Sequence, residues 1–367
     1  MNTSCLKTSL AMVVALLSVP LVCAQNPKAV YFESQEVAVP DFAADGFILD
    51  IGGGGEGVIG QLKGNQVISI DPYKEELENA PSRNLKIVMD GRDLKFLDNS
   101  FNTAAIFYTL MYINAEDHEK VFQEVKRVLK HGGRLLIWDV NLPVRKDASK
   151  EFGVYKFKFM LPQKEINTGY GAKFPKTVDQ NMQYYVNIAQ KTGFRIITTG
   201  INQPSFYLEL QTPPAVTTVM EKELRTKNIE SAVKLYEELK EKNKNDYYFG
   251  ADVLTQLSDQ LMADGKMSDS AVIFKLALRD YSVNENKANA YGYKLMAVKR
   301  YAEAIDIFKI NTARFPNSAN AFDSLAEAYM MNGQKSLAVQ CYEKSIELNP
   351  NNTNAADMIK KLKRSSS

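Results

Sequence analysis

The chain has 367 residues, 45% of them hydrophobic and 24% charged, which is ordinary globular composition with room for two domains. Its formal net charge of +2 comes without a basic tract, so nothing in it points to nucleic acid. Cys5 and Cys23 lie in the N-terminal segment, so Cys341 is expected to stand alone after processing, which leaves no intrachain disulfide framework or cysteine-rich metal site.

The N-terminal segment, residues 1–24, has Lys7, an apolar run from Leu10 to Val22, and a Val22-Cys23-Ala24 step before Gln25. This is the layout of a cleaved secretory signal, and its apolar core is short for a membrane span. The expected mature chain is exported, either periplasmic or secreted. The alternatives are an inefficient signal that leaves the protein on the cytosolic face and a lipid anchor at Cys23 that holds it at the membrane.

In FILDIGGGGEG, Phe47 to Gly57, an apolar strand around Ile48 and Leu49 runs into Asp50 and then into Gly52, Gly53, Gly54, Gly55 and Gly57. Such a turn allows positive φ and brings a ligand against backbone, and a helix from about Val58 turns free N–H groups toward it. Gly52, Gly54 and Gly57 also satisfy the dinucleotide pattern, with Asp71 about 20 residues on, so the glycines alone do not choose the ligand. Asp50, just ahead of Gly52, suits a cationic amine better than a pyrophosphate.

A second strand, Gln66 to Ile70, ends at Asp71-Pro72, and a third, Leu85 to Met89, ends at Asp90. Ala104 to Tyr108 reads as a fourth strand. An amphipathic helix with Val121, Val125, Val128 and Leu129 on one side then stops at His131-Gly132-Gly133 and leads to a fifth strand, Arg134 to Val140. In the connection Leu142 to Thr177, Tyr155, Phe157 and Phe159 alternate with Lys156 and Lys158, the period of a half-buried strand. That strand belongs either to a scaffold hairpin or to an acceptor pocket. A helix around Met182, Tyr185 and Val186 closes at Gly193, and two β-rich runs follow around a turn rich in Asn, Gln, Pro and Ser.

These ordered motifs resemble the class I methyltransferases that use S-adenosylmethionine, especially the small-molecule group that includes the ubiquinone and menaquinone methylases. The resemblance covers about half of the chain, Ala44 to Gln211, and implies an α/β, Rossmann-like domain with a terminal antiparallel hairpin. It also implies cofactor-binding residues: Asp50, Gly52 and Gly54 at the methionine end, Asp71 on the ribose hydroxyls, and Asp90 with Leu94 or its neighbours at the adenine. Tyr108 stands where the family presents substrate-facing residues. The loop departs from the family at one place, since Glu56 holds the position expected for a third glycine. No side chain stands out as a catalytic base; His118 reads as a helix-start residue and His131 as part of the helix stop.

Gln211 to Val216, with two prolines, marks a boundary, and from about Asp252 the sequence repeats every 34 residues. Ser270, Ala304 and Ala338 are equally spaced, Phe274, Phe308 and Tyr342 follow each by four positions, and Gly265 and Gly333 share a turn position. These units resemble tetratricopeptide repeats over Phe249 to Asn352, with Thr353 to Lys363 as a capping helix. Ala232 and Tyr236 repeat the small-then-aromatic relation upstream, in a linker helix or a degenerate unit.

The expected organisation is a signal peptide over 1–24, a methyltransferase-like domain over 25–215, linker helices or a degenerate repeat over 216–248, and an all-α tetratricopeptide array over 249–367. The expected function is methyl transfer from S-adenosylmethionine to a small-molecule acceptor, with a protein partner on the repeats and no metal. An exported, catalytically silent scaffold whose repeats bind a protein is the alternative.

Overall fold

A computed structural model describes residues 26–364, and the expected signal segment, with Cys5 and Cys23, lies outside the described residues. Two compact units divide the chain, the first ending at Pro214 and the second beginning at Ala215. Among the described residues, no helix is long and apolar enough to cross a membrane.

The first unit opens with two short strands, β1 (Ala29–Tyr31) and β2 (Gln35–Ala38). It continues through β3 (Ile48–Ile51), α1 (Val58–Lys63), β4 (Val67–Asp71), α2 (Lys74–Asn79), β5 (Leu85–Val88), β6 (Phe101–Phe107) and α3 (Ala115–Val128). Then come β7 (Leu129–Val140), β8 (Phe152–Leu161), β9 (Lys164–Lys173), α4 (Met182–Lys191), β10 (Arg195–Asn202) and β11 (Ser205–Gln211). A seven-stranded sheet has the order β10-β11-β7-β6-β3-β4-β5. Its strands β5 through β7 are parallel, whereas β11 runs antiparallel to β7 and β10 antiparallel to β11. This is the expected α/β domain with its terminal hairpin.

The central strands β3 and β4 are buried at every position, as parallel strands covered on both faces must be. On one face α3 and α4 pack Val121, Phe122, Val125, Tyr185 and Ala189 against Leu135 and Ile137 of β7. Acids in the first turn of α3 and Lys126 and Arg127 in its last turn complement the helix dipole. The other face is covered by α1 and by a separate four-stranded sheet, in which β8 lies between β1 and β2 and pairs with β9. Tyr155, Phe157 and Phe159 of β8 are buried there, so the alternation marks a scaffold hairpin. The strand β7 begins at Leu129, ahead of the expected start at Arg134. Phe101 pairs with Leu129 across a register shift, so the His131-Gly132-Gly133 stretch is absorbed as an irregularity within the strand instead of ending the helix in a loop.

The second unit is all α. A pair α5 (Thr217–Thr226) and α6 (Ile229–Lys242) precedes α7 (Ala251–Ala263), α8 (Met267–Asp280), α9 (Glu285–Ala297), α10 (Tyr301–Arg314), α11 (Ala319–Met331), α12 (Lys335–Leu348) and α13 (Thr353–Arg364). The first helices of successive pairs start at Ala251, Glu285 and Ala319, and the capping helix at Thr353, one period apart each time. The small residues Ser270, Ala304 and Ala338 are fully buried and let paired helices approach, while Phe274, Phe308 and Tyr342 fill the space beside them. Asn284 and Ser318 cap α9 and α11 through their side chains, and Asn352 accepts from Ala355 N in the same way.

Candidate functional site

The strand order reverses beside β3: the chain runs outward through β4 and β5, then returns to place β6 on the other side. A crevice at the carboxyl ends of the strands on either side of such a reversal is where open α/β sheets bind ligands. The glycine loop, residues 52–57, sits there between β3 and α1.

Local sterics explain the glycines. Gly52 has φ +74°, its N–H donates to Ile70 O at 2.8 Å, and a Cβ there would collide with Thr109, just beyond β6. At Gly54 a Cβ would run into the Cβ of Glu76 on α2 and come within 3.0 Å of an Asp71 carboxylate oxygen. The loop is therefore seated between the end of β6 and α2, and both positions must stay glycine for the protein's own packing.

The structure separates the expected site acids. Asp71 ends β4 beside the loop; one oxygen accepts from Tyr73 N at 2.9 Å, and the carboxylate also accepts from Gly54 N. Burial pushes its carboxyl above the usual range. Asp50 lies beneath the loop, 1% exposed, with Gly53 packed over it. One Asp50 oxygen accepts from Ser69 Oγ at 3.0 Å, Ser69 in turn accepts from Asn84 Nδ2 at 2.9 Å, and the second Asp50 oxygen has no protein donor. Burial raises the Asp50 carboxyl to about 7, so this acid belongs to a buried network under the loop and does not line its outer surface.

Asp90 departs from its expected role. Arg92, two residues on, grips the Asp90 carboxylate through Nε at 3.0 Å and Nη2 at 2.6 Å and also reaches Asp117 at 2.7 Å. That fork holds the Asp90 carboxyl below the usual range and leaves it engaged where an adenine amine was expected. Leu94 is buried in the core under α3. Tyr108 is likewise a core residue, 2% exposed among Phe107, Phe157, Phe159 and Tyr170, with its hydroxyl 2.7 Å from Ser205 Oγ. Its φ of +51° is a strained backbone for an aromatic residue, and it lets the chain turn sharply at the end of β6.

The turn after Tyr108 is fixed by an acid that sequence reading passed over. Asp139, fully buried near the end of β7, accepts from Leu110 N and from Val140 N, each at 2.8 Å, and burial raises its carboxyl to about 7. Trp138-Asp139-Val140 carries the signature of an apolar strand ending in an acid that marked Asp50, Asp71 and Asp90. His118 is buried as well; its ring spans Leu110 O at 3.0 Å and Tyr184 Oη at 3.1 Å, and burial depresses its pKa. These are structural contacts.

The groups that do face the loop come from four elements. Glu56 of the loop accepts from Thr168 Oγ1 and, at 2.9 Å, from Tyr170 Oη, both on β9. Glu76 of α2 stands over Gly55, and burial, reinforced by repulsion from Asp71 and Glu56, raises its carboxyl. Tyr112, in the turn after β6, is 56% exposed. Among the described residues, none of Glu56, Asp71 and Glu76 forms an ion pair with lysine or arginine. The loop thus faces a set of carboxylates whose charge the protein does not itself neutralise.

Comparison with known proteins bears on this site. The family model described as a methyltransferase domain matches residues 49–137, the stretch that holds β3 through most of β7. Residues 49–137 are a methyltransferase domain. A second model, the tetratricopeptide repeat, matches residues 324–352. The ubiquinone/menaquinone biosynthesis C-methyltransferase UbiE of Pseudomonas putida (strain W619) is 35% identical over 85 residues, 23% of this chain and 32% of that protein. Its counterpart from Pseudomonas savastanoi pv. phaseolicola (strain 1448A / Race 6) is 36% identical over the same length and shares. The chain thus spans about a third of the length of the curated relatives it matches. A solved SAM-dependent methyltransferase from Methanosarcina mazei covers 47% of this chain and 94% of its own, at 19% identity and a TM-score of 0.34.

S-adenosylmethionine is the cofactor of this methyltransferase class, and the donor set fits it in part. Its sulfonium and ammonium match the unpaired carboxylates, and Asp71 retains acceptor capacity for ribose hydroxyls. The adenine end fits less well, because Arg92 already holds Asp90.

Proposed function

We propose that the protein transfers a methyl group from S-adenosylmethionine to a small molecule. The observation that carries this reading is the glycine loop at the strand-order reversal, with Asp71 closing it from the end of β4. When bound, the cofactor supplies an electrophilic methyl on sulfur, so the chain's own task is to bind and align. Orientation of this kind is worth about 7–11 kcal/mol in favourable intramolecular cases. Asp71 binds the ribose diol, the backbone around Gly52 and Gly54 admits the methionine end, and the turn held by Asp139 and His118 fixes Thr109 against the loop.

The proposal extends to the rest of the chain. The repeats bind a protein partner, and the N-terminal segment directs export. A silent scaffold is the second reading, and the observation in its favour is the capture of Asp90 by Arg92.

Isothermal titration of the mature chain, from Gln25, with S-adenosylmethionine, S-adenosylhomocysteine and NAD tests the first reading. Micromolar binding of the first two and none of NAD is the expected outcome; no binding of either sulfur ligand leaves the scaffold. In the same assay Asp71→Ala should weaken cofactor binding at least about tenfold, since it removes charge-assisted bonds to the diol. Its thermal unfolding should fall only modestly, because Tyr73 N and Gly54 N lose their acceptor, and the folded variant should remain deficient in binding.

A further inference from the structure

We propose that Glu56 is the residue that receives the α-ammonium group of S-adenosylmethionine, the role that the loop sequence suggested for Asp50. The inference rests on the cofactor reading above and adds a binding residue to it.

The first observation is negative. Asp50 is 1% exposed, Gly53 lies across its carboxylate, and burial keeps that carboxyl near neutrality, so no ligand ammonium reaches it from outside the loop. A cationic amine at this loop needs another carboxylate. Glu56 is the acid within the loop itself, at a position flanked by Gly55 with φ +57° and Gly57 with φ +54°.

The second observation is how the carboxylate is held. Thr168 and Tyr170, alternate residues of β9, both donate hydroxyls to it. Hydroxyls orient a carboxylate without neutralising it. A lysine was at hand, because Lys164 on the same strand reaches down to this region, but it donates to the amide oxygen of Gln61. The arrangement preserves a negative charge, aims it, and leaves acceptor capacity for a cation. A purely structural tie between the loop and β9 has no need of a charge.

The third observation is placement. Asp71 borders the loop at Gly54 and Glu56 follows Gly55 in it, and each contributes to the field that raises the Glu76 carboxyl. With Asp71 taking the ribose, Glu56 is the acid left at the methionine end. Two hydroxyls already bind it, so the ammonium would be the third donor on that carboxylate, within its capacity of about four.

The test compares ligands that do and do not carry the ammonium group. S-adenosylhomocysteine and 5′-methylthioadenosine share the thioether, ribose and adenine, but the second lacks the amino-acid end. Calorimetric titration of both into the full mature chain and into Glu56→Gln should show the variant losing about tenfold or more in affinity for S-adenosylhomocysteine. Its affinity for 5′-methylthioadenosine should stay within about threefold of the parent. Glutamine still accepts from Tyr170, so the tie to β9 survives while the charge goes. Equal losses for the two ligands would mean that Glu56 only shapes the loop and would overturn the proposal, as would no loss for either. A companion variant, Tyr170→Phe, keeps the charge and removes one orienting hydroxyl; a larger ligand-selective loss there than in Glu56→Gln would also overturn it. If neither ligand binds the parent chain, the cofactor reading fails first and takes this inference with it.

Discussion

The two units of this chain use glycine and buried polar groups in opposite ways. In the repeats a position has one job and performs it again a period later: Gly265 and Gly333 both turn at φ +78°, and Ser270, Ala304 and Ala338 are each buried where helices meet. In the methyltransferase unit each special residue stands alone. Gly52 yields to Thr109, Gly54 to Glu76, and Asp50 and Asp139 are each buried in a network of their own. A periodic structure can be checked against itself, whereas a singular site is checked only by its ligand.

The sharpest break in that comparison is Gly292→Val. The equivalent positions one period away are Ser258 and Ala326, so the repeat pattern by itself tolerates a side chain. The local packing does not: Gly292 lies on α9 directly against the ring of Phe308, which is fully buried, and any Cβ would overlap that ring. Overpacking a core contact of this kind costs about 3 kcal/mol. Urea unfolding of the full chain should show the loss, and Kd for S-adenosylhomocysteine in native buffer should be unchanged. A variant as stable as the parent would mean that the period alone governs the array.

The second contrast is in pH dependence. In the methyltransferase unit burial raises Asp50 and Asp139 to about 7. A carboxyl whose folded pKa lies above its unfolded value binds more protons when folded. Its stabilising effect is therefore greatest below about pH 4 and is lost as pH rises toward 7. Asp280 on α8 has the opposite sign, because Arg279, with Lys240 and Tyr236, depresses its carboxyl; its contribution is present above the ordinary carboxylate pKa and disappears on acidification. Asp50→Asn should thus gain about 2 kcal/mol relative to the parent between pH 5 and pH 8. Asp280→Asn should be destabilising at neutral pH and approach the parent below about pH 4. Thermal unfolding of the two full-length variants from about pH 3 to pH 8 checks both signs, and parallel curves would show that the units do not differ.

The same split decides what could be read from the sequence. Repeat boundaries were legible because one spacing recurs, and the alternation of Tyr155, Phe157 and Phe159 gave β8 because half-buried strands have period two. The strands β1 and β2 were not legible, since three or four residues carry no periodic signal and both form only by pairing with β8 from far away in sequence. At the site, Asp71 was visible as an acid at a strand end, and the structure leaves it at the loop. Asp50 and Asp90 carried the same signature, yet depth beneath Gly53 decides the first and a neighbouring arginine the second. Tyr108 was placed correctly along the chain, but the side chain turned into the core toward Ser205. Strand ends are local information, and the direction of a side chain beyond them is not.

The smallest expected effect lies where the period is imperfect. Lys299 occupies the turn position held by Gly265 one period earlier and Gly333 one period later, and it adopts the same left-handed backbone, φ +63°. An L-residue with a Cβ is strained there by about 1–2 kcal/mol, and glycine is not, although glycine also gains freedom in the unfolded chain. No ion pair of Lys299 is present among the described residues to offset that strain. Lys299→Gly should therefore stabilise the chain by about 1 kcal/mol, raising Tm by a few degrees. The opposite exchange, Gly265→Lys, should cost a similar amount: a Cβ at Gly265 meets nothing within 4 Å, so backbone strain is the only term that changes. If both substitutions destabilise, the lysine at 299 serves some purpose beyond the turn, and the repeats are less uniform than their spacing implies.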